Sequence, residues 1–405
     1  MRSLAAIIFL FLPLTAFLQE RGHANELLWE ISGNGLKQKS YLYGSLHSND
    51  KRLFRFADSV FVALDKTEAI VLETDIFSLF RKLDTRKEEV NLKYDNNGKP
   101  YTGTEEASKT MYGDENGMPQ FLDAWFQDYC YNAGKKFYPL ETVEDQLNLF
   151  SDVVIPDADR INYVASQLVQ EKMISLYLEG DIRSLDKVMQ VNLSVYPGSY
   201  DQIIVERNFI MVKGIDSLLK QGSTFCVVGA GHLAGEDGLI NLLRKKGYRM
   251  RCVEATFSDP PIEEKSKVRS FRTFTYVDDS TGLIANFPGK PHVENRFDGG
   301  LSLIYRELGQ GNTYVIEVVP NSEELTLKDL ADIYIPSPGA SPYTYRLFED
   351  GTELYEGIAD SYPEGLHWVR VLQNDRVSLV LKAYGGNKFM NSNRPQHFFN
   401  NVWFE

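Results

Sequence analysis

Residues 223–238 read STFCVVGAGHLAGEDG. Thr224 to Val228 form a short apolar run rich in strand-forming residues, which reads as a buried β-strand. Gly229 ends the run and His232 follows three residues later. Next, Leu239, Leu242 and Leu243 fall on one helix face, with Gly247 placed as a C-terminal cap. A second strand, YRMRCVEAT from Tyr248, then reaches Glu254. The unit is strand, G-x-x-H, helix, strand, glutamate, and it predicts an α/β fold.

The same order occurs earlier. In KSYLYGSLHSND (39–50), Tyr41 to Tyr43 read as a strand, Gly44 breaks it and His47 follows. Leu53, Ala57, Val60, Phe61 and Leu64 recur at helical spacing, and Ala69 to Leu72 form a buried-strand run ending at Glu73. With 30 glycines and 6 histidines in 405 residues, about 0.4 G-x-x-H matches arise by chance, so a single match carries little weight. There are three. The third, NFPGKPHVEN (286–295), has prolines on both sides of Gly289, no helical stretch after it and no strand-to-glutamate echo, and His292 is expected in a loop.

Ligands in α/β folds gather at strand C-termini, where loops converge and helix N-termini point inward. A glycine there lets the chain turn sharply enough to bring the histidine back over the strand ends. If the two units pack together, His47 and His232 face one another with Glu73 beside them. Two imidazoles and a carboxylate are a usual ligand set for Mn, Co, Zn or Fe, with positions left open for water. A buried histidine that merely donates to a carbonyl is the plainer alternative for each ring, and a strand-end carboxylate paired with a lysine is the plainer one for Glu73.

The segments YLYGSLH, IVLETD, LETVEDQL, ERN and VVGAGHLAGEDGLINLLRKKGY, in this order, together resemble the TraB/GumN family, which includes the Tiki metalloproteases. The resemblance runs from about Leu27 to Glu254. It implies an α/β domain with a divalent-metal site (Mn, Co or Zn) held by His47, Glu73 and His232. Glu141, Glu144 and Gln146 match one further family segment, and Arg207 with Asn208 match another. Residues 82–120, polar and turn-rich, match loosely; a surface insertion or a lid over the site would both fit, and the surface insertion is the plainer reading.

The residues themselves add candidates. The run KFYPLET (136–142) ends a strand at Glu141, which either joins the same rim or starts the next helix as an N-terminal charge. Helices are expected from Gln120, over 161–177 and over 202–220. Arg207, on the last of these, suits a carboxylate or a polarised carbonyl.

The net charge of −13 argues against nucleic acid as the main partner. Arg2, an apolar run from Leu4 to Leu18 and small residues at Gly22 and Ala24 give residues 1–24 the layout of a signal peptide. A secreted or periplasmic location follows, with no stable transmembrane segment after cleavage. Cys130, Cys226 and Cys252 are too few for a disulfide framework; Cys226 and Cys252 lie in predicted strands that one bridge could join, and buried free thiols fit at least as well.

The first domain is expected to span 25–258, with a linker over 259–268 marked by paired prolines and mixed charge. From 269 to 405 the apolar period changes to two, and four segments each read as two strands around a polar turn. This predicts a mostly antiparallel β domain, with a short helix near ELTLKDLADI (324–333). Tyr343, Tyr345 and Trp368 either form a binding face or pack beneath the sheet.

The expected function is metal-dependent hydrolysis of a peptide or protein. Glu141 or Glu254 would take the proton of a metal-activated water, and Arg207 would steady the oxyanion. No H-E-x-x-H is present, so this is not a zincin site. A non-catalytic protein sequestering a peptide or cofactor in the same cleft is the alternative.

Overall fold

The computed structural model describes residues 25–82, 90–94, 96, 118, 120–152, 163–194, 198–258, 274–322, 325–336, 343–347, 353–361 and 364–405. The stretch 1–24 expected to be a signal peptide, the expected linker 259–268 and most of residues 82–120, read as an insertion, lie outside the described residues.

The first domain is built on a six-stranded mixed sheet. Its strands are β1 (Leu28–Gly33), β2 (Ser40–Ser45), β3 (Ala69–Leu72), β4 (Lys136–Pro139), β5 (Thr224–Gly229) and β6 (Tyr248–Cys252), in the spatial order β4-β3-β5-β2-β1-β6. β4, β3, β5 and β2 are mutually parallel, and β1 pairs antiparallel with both β2 and β6. Every residue of β2, β3 and β5 is buried. That explains why these strands read as continuous rather than alternating apolar runs: parallel strands are covered on both faces.

The helices are α1 (Asp58–Asp65), α2 (Ile76–Lys82), α3 (Leu122–Asn132), α4 (Val143–Asp152), α5 (Tyr163–Glu179), α6 (Ile182–Leu193), α7 (Arg207–Leu219) and α8 (Leu239–Lys245). The expected units are β2-α1-β3 and β5-α8-β6. They interleave: β2 and β5 lie side by side, and the outgoing strands leave in opposite directions. Right-handed crossovers running opposite ways place their helices on opposite faces of the sheet. Accordingly, α1 borders the face of Glu30 and Tyr41, and Arg244 of α8 stacks over Trp29 on the other.

Two expectations are corrected here, and the state of two cysteines is decided. The stretch from Leu53 to Leu64 is not one helix. A single turn at Lys51–Phe54 is separated from α1, where Asp58 N–H donates to Thr256 O at 2.7 Å. Cys226 and Cys252 are both free; β2 and β1 lie between their strands, a separation of roughly 14 Å at three strand spacings, beyond disulfide reach. His292 is the first residue of a strand, paired with Ile304.

The second domain is mostly antiparallel. Its strands are β7 (Phe274–Asp278), β8 (Leu283–Phe287), β9 (His292–Asn295), β10 (Leu301–Arg306), β11 (Thr313–Pro320), β12 (Tyr343–Leu347), β13 (Glu353–Ser361), β14 (Gly365–Gln373), β15 (Val377–Tyr384) and β16 (Val402–Phe404). They form a seven-stranded sheet, β12-β13-β14-β15-β11-β10-β9, and a three-stranded sheet, β16-β8-β7. The short helix runs over Leu327–Tyr334 behind a Thr326–Asp329 capping box. Trp368 packs under the sheet and donates to Met390 O, whereas Tyr345 remains exposed. Among the described residues no helix is long and apolar enough to cross a membrane.

Candidate functional site

The sheet order sets out the site. Glu141 follows β4, Glu73 follows β3, Gly229 and His232 close β5, and His47 follows β2, so four adjacent parallel strands each deliver a residue to one edge. This is the carboxyl edge at which open α/β sheets bind ligands.

Gly229 lies at its centre. A Cβ added there would stand 3.3 Å from Glu73 Oε1, 3.3 Å from His47 Nε2 and 3.5 Å from His232 Cδ2. Three side chains from three strands therefore converge on a space that any larger residue would fill. The Gly229 N–H donates to Glu73 Oε1 at 2.5 Å, and His232 Nε2 is 3.8 Å from the same oxygen.

Each histidine is anchored through Nδ1. Asp123, in the first turn of α3, accepts Ser45 Oγ–H on Oδ1 at 2.5 Å and pairs with His47 Nδ1 through Oδ2 at 2.9 Å. An ionised carboxylate only accepts, so His47 carries its proton on Nδ1 and, when neutral, presents a bare Nε2. Asn208 does the same for His232. Its Nδ2 donates to Asp237 O at 2.9 Å, which fixes the amide so that Oδ1 accepts from His232 Nδ1 at 2.8 Å. The two rings differ in surroundings: the His47 side chain is 60% exposed and that of His232 only 4%.

Arg207 ties the carboxylates together. A π-helical stretch, Asp201–Glu206, runs directly into α7 and delivers its guanidinium to the strand ends. Nη2 donates to Glu73 Oε2 at 2.6 Å and to Glu141 Oε2 at 2.7 Å, while Nε donates to Glu141 Oε1 at 2.9 Å. Nη1 stands 3.5 Å from His232 Nε2. Gln146 Nε2 also donates to Glu141 Oε2.

The electrostatics follow from these contacts. Burial penalises the Glu73 carboxylate, but His232, Arg207, His47 and the Gly229 N–H outweigh it and hold the group well below the usual range. Burial likewise opposes the Arg207 charge, and Glu141 with Glu73 more than restores it. The Asp123 carboxylate raises His47 above the ordinary imidazole value, with help from Glu73. Burial lowers His232 to about 4, with Arg207 and His47 adding to the effect and Glu73 opposing it.

The structure thus brings together His47, Glu73, Glu141, Arg207 and His232. Glu254 lies elsewhere. β6 ends at Cys252, and Glu254 is exposed in a surface recess with Glu30, Lys39 and Arg251. β1 inserts between β2 and β6, so the two repeat units are not equivalent at this point. Glu144 points away as well, pairing with Lys82 on the surface. Asp123 is the site residue that sequence reasoning missed. It lies 76 residues from His47 with no local motif, and only the packing of α3 against the strand ends reveals it.

Among the described residues no three His, Cys, Asp or Glu side chains stand in ion-binding geometry around one point; the cation against Glu73 is Arg207. The donor chemistry nonetheless suits a divalent ion, because both imidazoles are anchored through Nδ1 and turn Nε2 toward a carboxylate in the cradle over Gly229.

A sequence model of the TraB/PrgY/gumN family matches residues 27–104 and 78–251, together more than half of the chain. Metalloprotease TIKI2 of Danio rerio is 22% identical over 362 residues, covering 67% of this chain and 68% of that protein.

Proposed function

The chain belongs to the TraB/PrgY/gumN family, and on that premise we propose that it is a secreted or periplasmic metal-dependent hydrolase of peptides or proteins. His47, Glu73 and His232 hold the divalent ion (Mn, Co or Zn). The observation that carries this reading is the convergence of two Nδ1-anchored imidazoles and one carboxylate on the empty side of Gly229. The similarity to a protein named a metalloprotease supports the reaction class.

The bound ion would supply Lewis acidity toward a scissile carbonyl and a water of lowered pKa. The protein's own groups do the rest. Asp123 and Asn208 keep protons on Nδ1 of the two imidazoles, so that Nε2 faces the cradle. Arg207 holds a fixed positive charge beside Glu73, placed to stabilise an oxyanion. Glu141 is the anchor of Arg207: both its oxygens are engaged by that guanidinium and by Gln146. It is therefore assigned to positioning rather than to proton transfer, and Glu254, remote and exposed, is assigned no role.

One observation favours the alternative, a protein that sequesters a peptide or cofactor without turnover. Arg207 holds both rim carboxylates, Glu73 and Glu141, which leaves neither free as a base. A diverse peptide pool separates the readings. The enzyme cleaves with added Mn, Co or Zn, stops with chelator, and is silenced by His47→Ala. Retained peptide binding with no metal-dependent cleavage would establish the sequestering role instead.

A further inference from the structure

The second domain lies beyond the residues matched by the family model, yet one of its turns is pressed against the segment that carries His47. The turn joins β10 to β11. Glu307 N–H donates to Asn312 O at 2.7 Å, and Gly311, at φ +72°, donates to Glu307 O at 2.6 Å. The Glu307 side chain is 1% exposed and receives Asn312 Nδ2 at 2.7 Å, the Tyr314 hydroxyl at 3.2 Å and the Arg394 guanidinium. A buried carboxylate with three donors makes this tip stiff.

The tip meets Asn49, two residues beyond His47. Asn49 Nδ2 donates to Gly309 O at 3.4 Å and to Met118 O at 3.2 Å, and Asn49 O accepts from Met118 N–H at 2.8 Å. Ser48 O accepts from Leu122 N–H at 3.0 Å, immediately before Asp123. There is no slack in the contact: a Cβ on Gly309 would stand 2.9 Å from Asn49 Cβ, from Asn49 Nδ2 and from Met118 O. The chain entering α3 is held from the far side as well, because Gln120 Nε2 donates to the Tyr305 hydroxyl of β10 at 2.6 Å.

We propose that the β10–β11 turn is a positioning element for the site. Through Gly309 and Asn49 it holds the loop bearing His47 against the start of α3 bearing Asp123, and so fixes the His47–Asp123 pair. The second domain is then part of the catalytic unit rather than an appendage. This inference rests on the metal-site reading for its effect on activity, but not for its effect on the pair itself.

The test uses the full chain with Asn49→Asp, which keeps the shape and removes the amide donor, and Gly309→Val. His47→Ala and Lys290→Ala serve as references; Lys290 touches the first domain at the Tyr131 ring, away from the turn. Two readouts are taken: Mn²⁺ affinity by calorimetry, and the NMR resonance of the His47 Nδ1 proton in the metal-free chain. The expected result is Mn²⁺ binding weakened roughly 10- to 100-fold in both turn variants. The His47 proton resonance moves upfield in both, and Lys290→Ala behaves as wild type. Wild-type affinity and an unmoved resonance in Asn49→Asp would overturn the positioning role, even if Gly309→Val fails to fold. Mn²⁺ binding that survives His47→Ala would overturn the metal reading instead, and the proton resonance would still decide the role of the turn.

Discussion

At the residue scale, the site turns on small differences between like groups. His47 and His232 share a motif and an Nδ1 anchor, but one anchor is an anion and the other an amide. Removing either anchor should loosen its ring without emptying the site. Asp123→Ala and Asn208→Ala are each expected to weaken Mn²⁺ binding by about 10- to 100-fold, as measured by calorimetry. Gly229→Ala tests the cradle from the other side. Its methyl group would sit 3.3 Å from both Glu73 Oε1 and His47 Nε2, so metal uptake should be lost while the thermal midpoint moves little. Arg207 behaves differently, because it neutralises two buried carboxylates. Arg207→Ala leaves those carboxylates facing one another and should cost about 3–5 kcal/mol in denaturant unfolding.

At the element scale, much of the fold could be read from the sequence, because many of the strands and helices announce themselves through local periodicity. The two G-x-x-H units, the change of period after 269 and the paired strands of the second domain all have such local signatures. Spatial order has none. Nothing in LWEISG says that β1 will wedge between β2 and β6, yet that insertion leaves Glu73 in the site, removes Glu254 from it and separates Cys226 from Cys252. Asp123 was hidden for the same reason: its partner is remote in sequence, and only tertiary packing of α3 brings the two together. His47, His232 and Glu73 were legible because a repeated motif, rather than a fold, gave them away. The two units therefore predict unequal consequences. Glu73→Gln should abolish metal uptake, and Glu254→Gln should leave uptake and activity at wild-type levels in the same assays.

At the scale of the whole molecule, the two domains meet through buried polar groups. Gln120 Nε2 donates both to the Tyr305 hydroxyl and to Asp128 Oδ2, and among the described residues Asp128 Oδ1 has no partner. Burial raises the Asp128 carboxyl well above its usual range. Its folded-state pKa thus exceeds the unfolded value near 3.9, and the folded chain holds a proton that the unfolded chain releases. The stability this group contributes is full below about pH 3.9 and falls as pH rises toward the folded pKa, by about 1.4 kcal/mol per pH unit. Asp128→Asn should therefore raise the thermal midpoint at pH 7 and lose that advantage at pH 3.5, as followed by circular dichroism. An equal advantage at both pH values would show that folding does not raise the Asp128 pKa.

The central claim is that the carboxyl ends of β2, β3 and β5 form a single divalent-metal site. The most direct measurement is the metal content of the purified full chain after dialysis against Mn²⁺, compared with a His47→Ala/His232→Ala double variant. One ion per wild-type chain and none in the folded double variant is the predicted result. Equal metal in both chains, or none in the wild type under saturating Mn, Co and Zn, would contradict it.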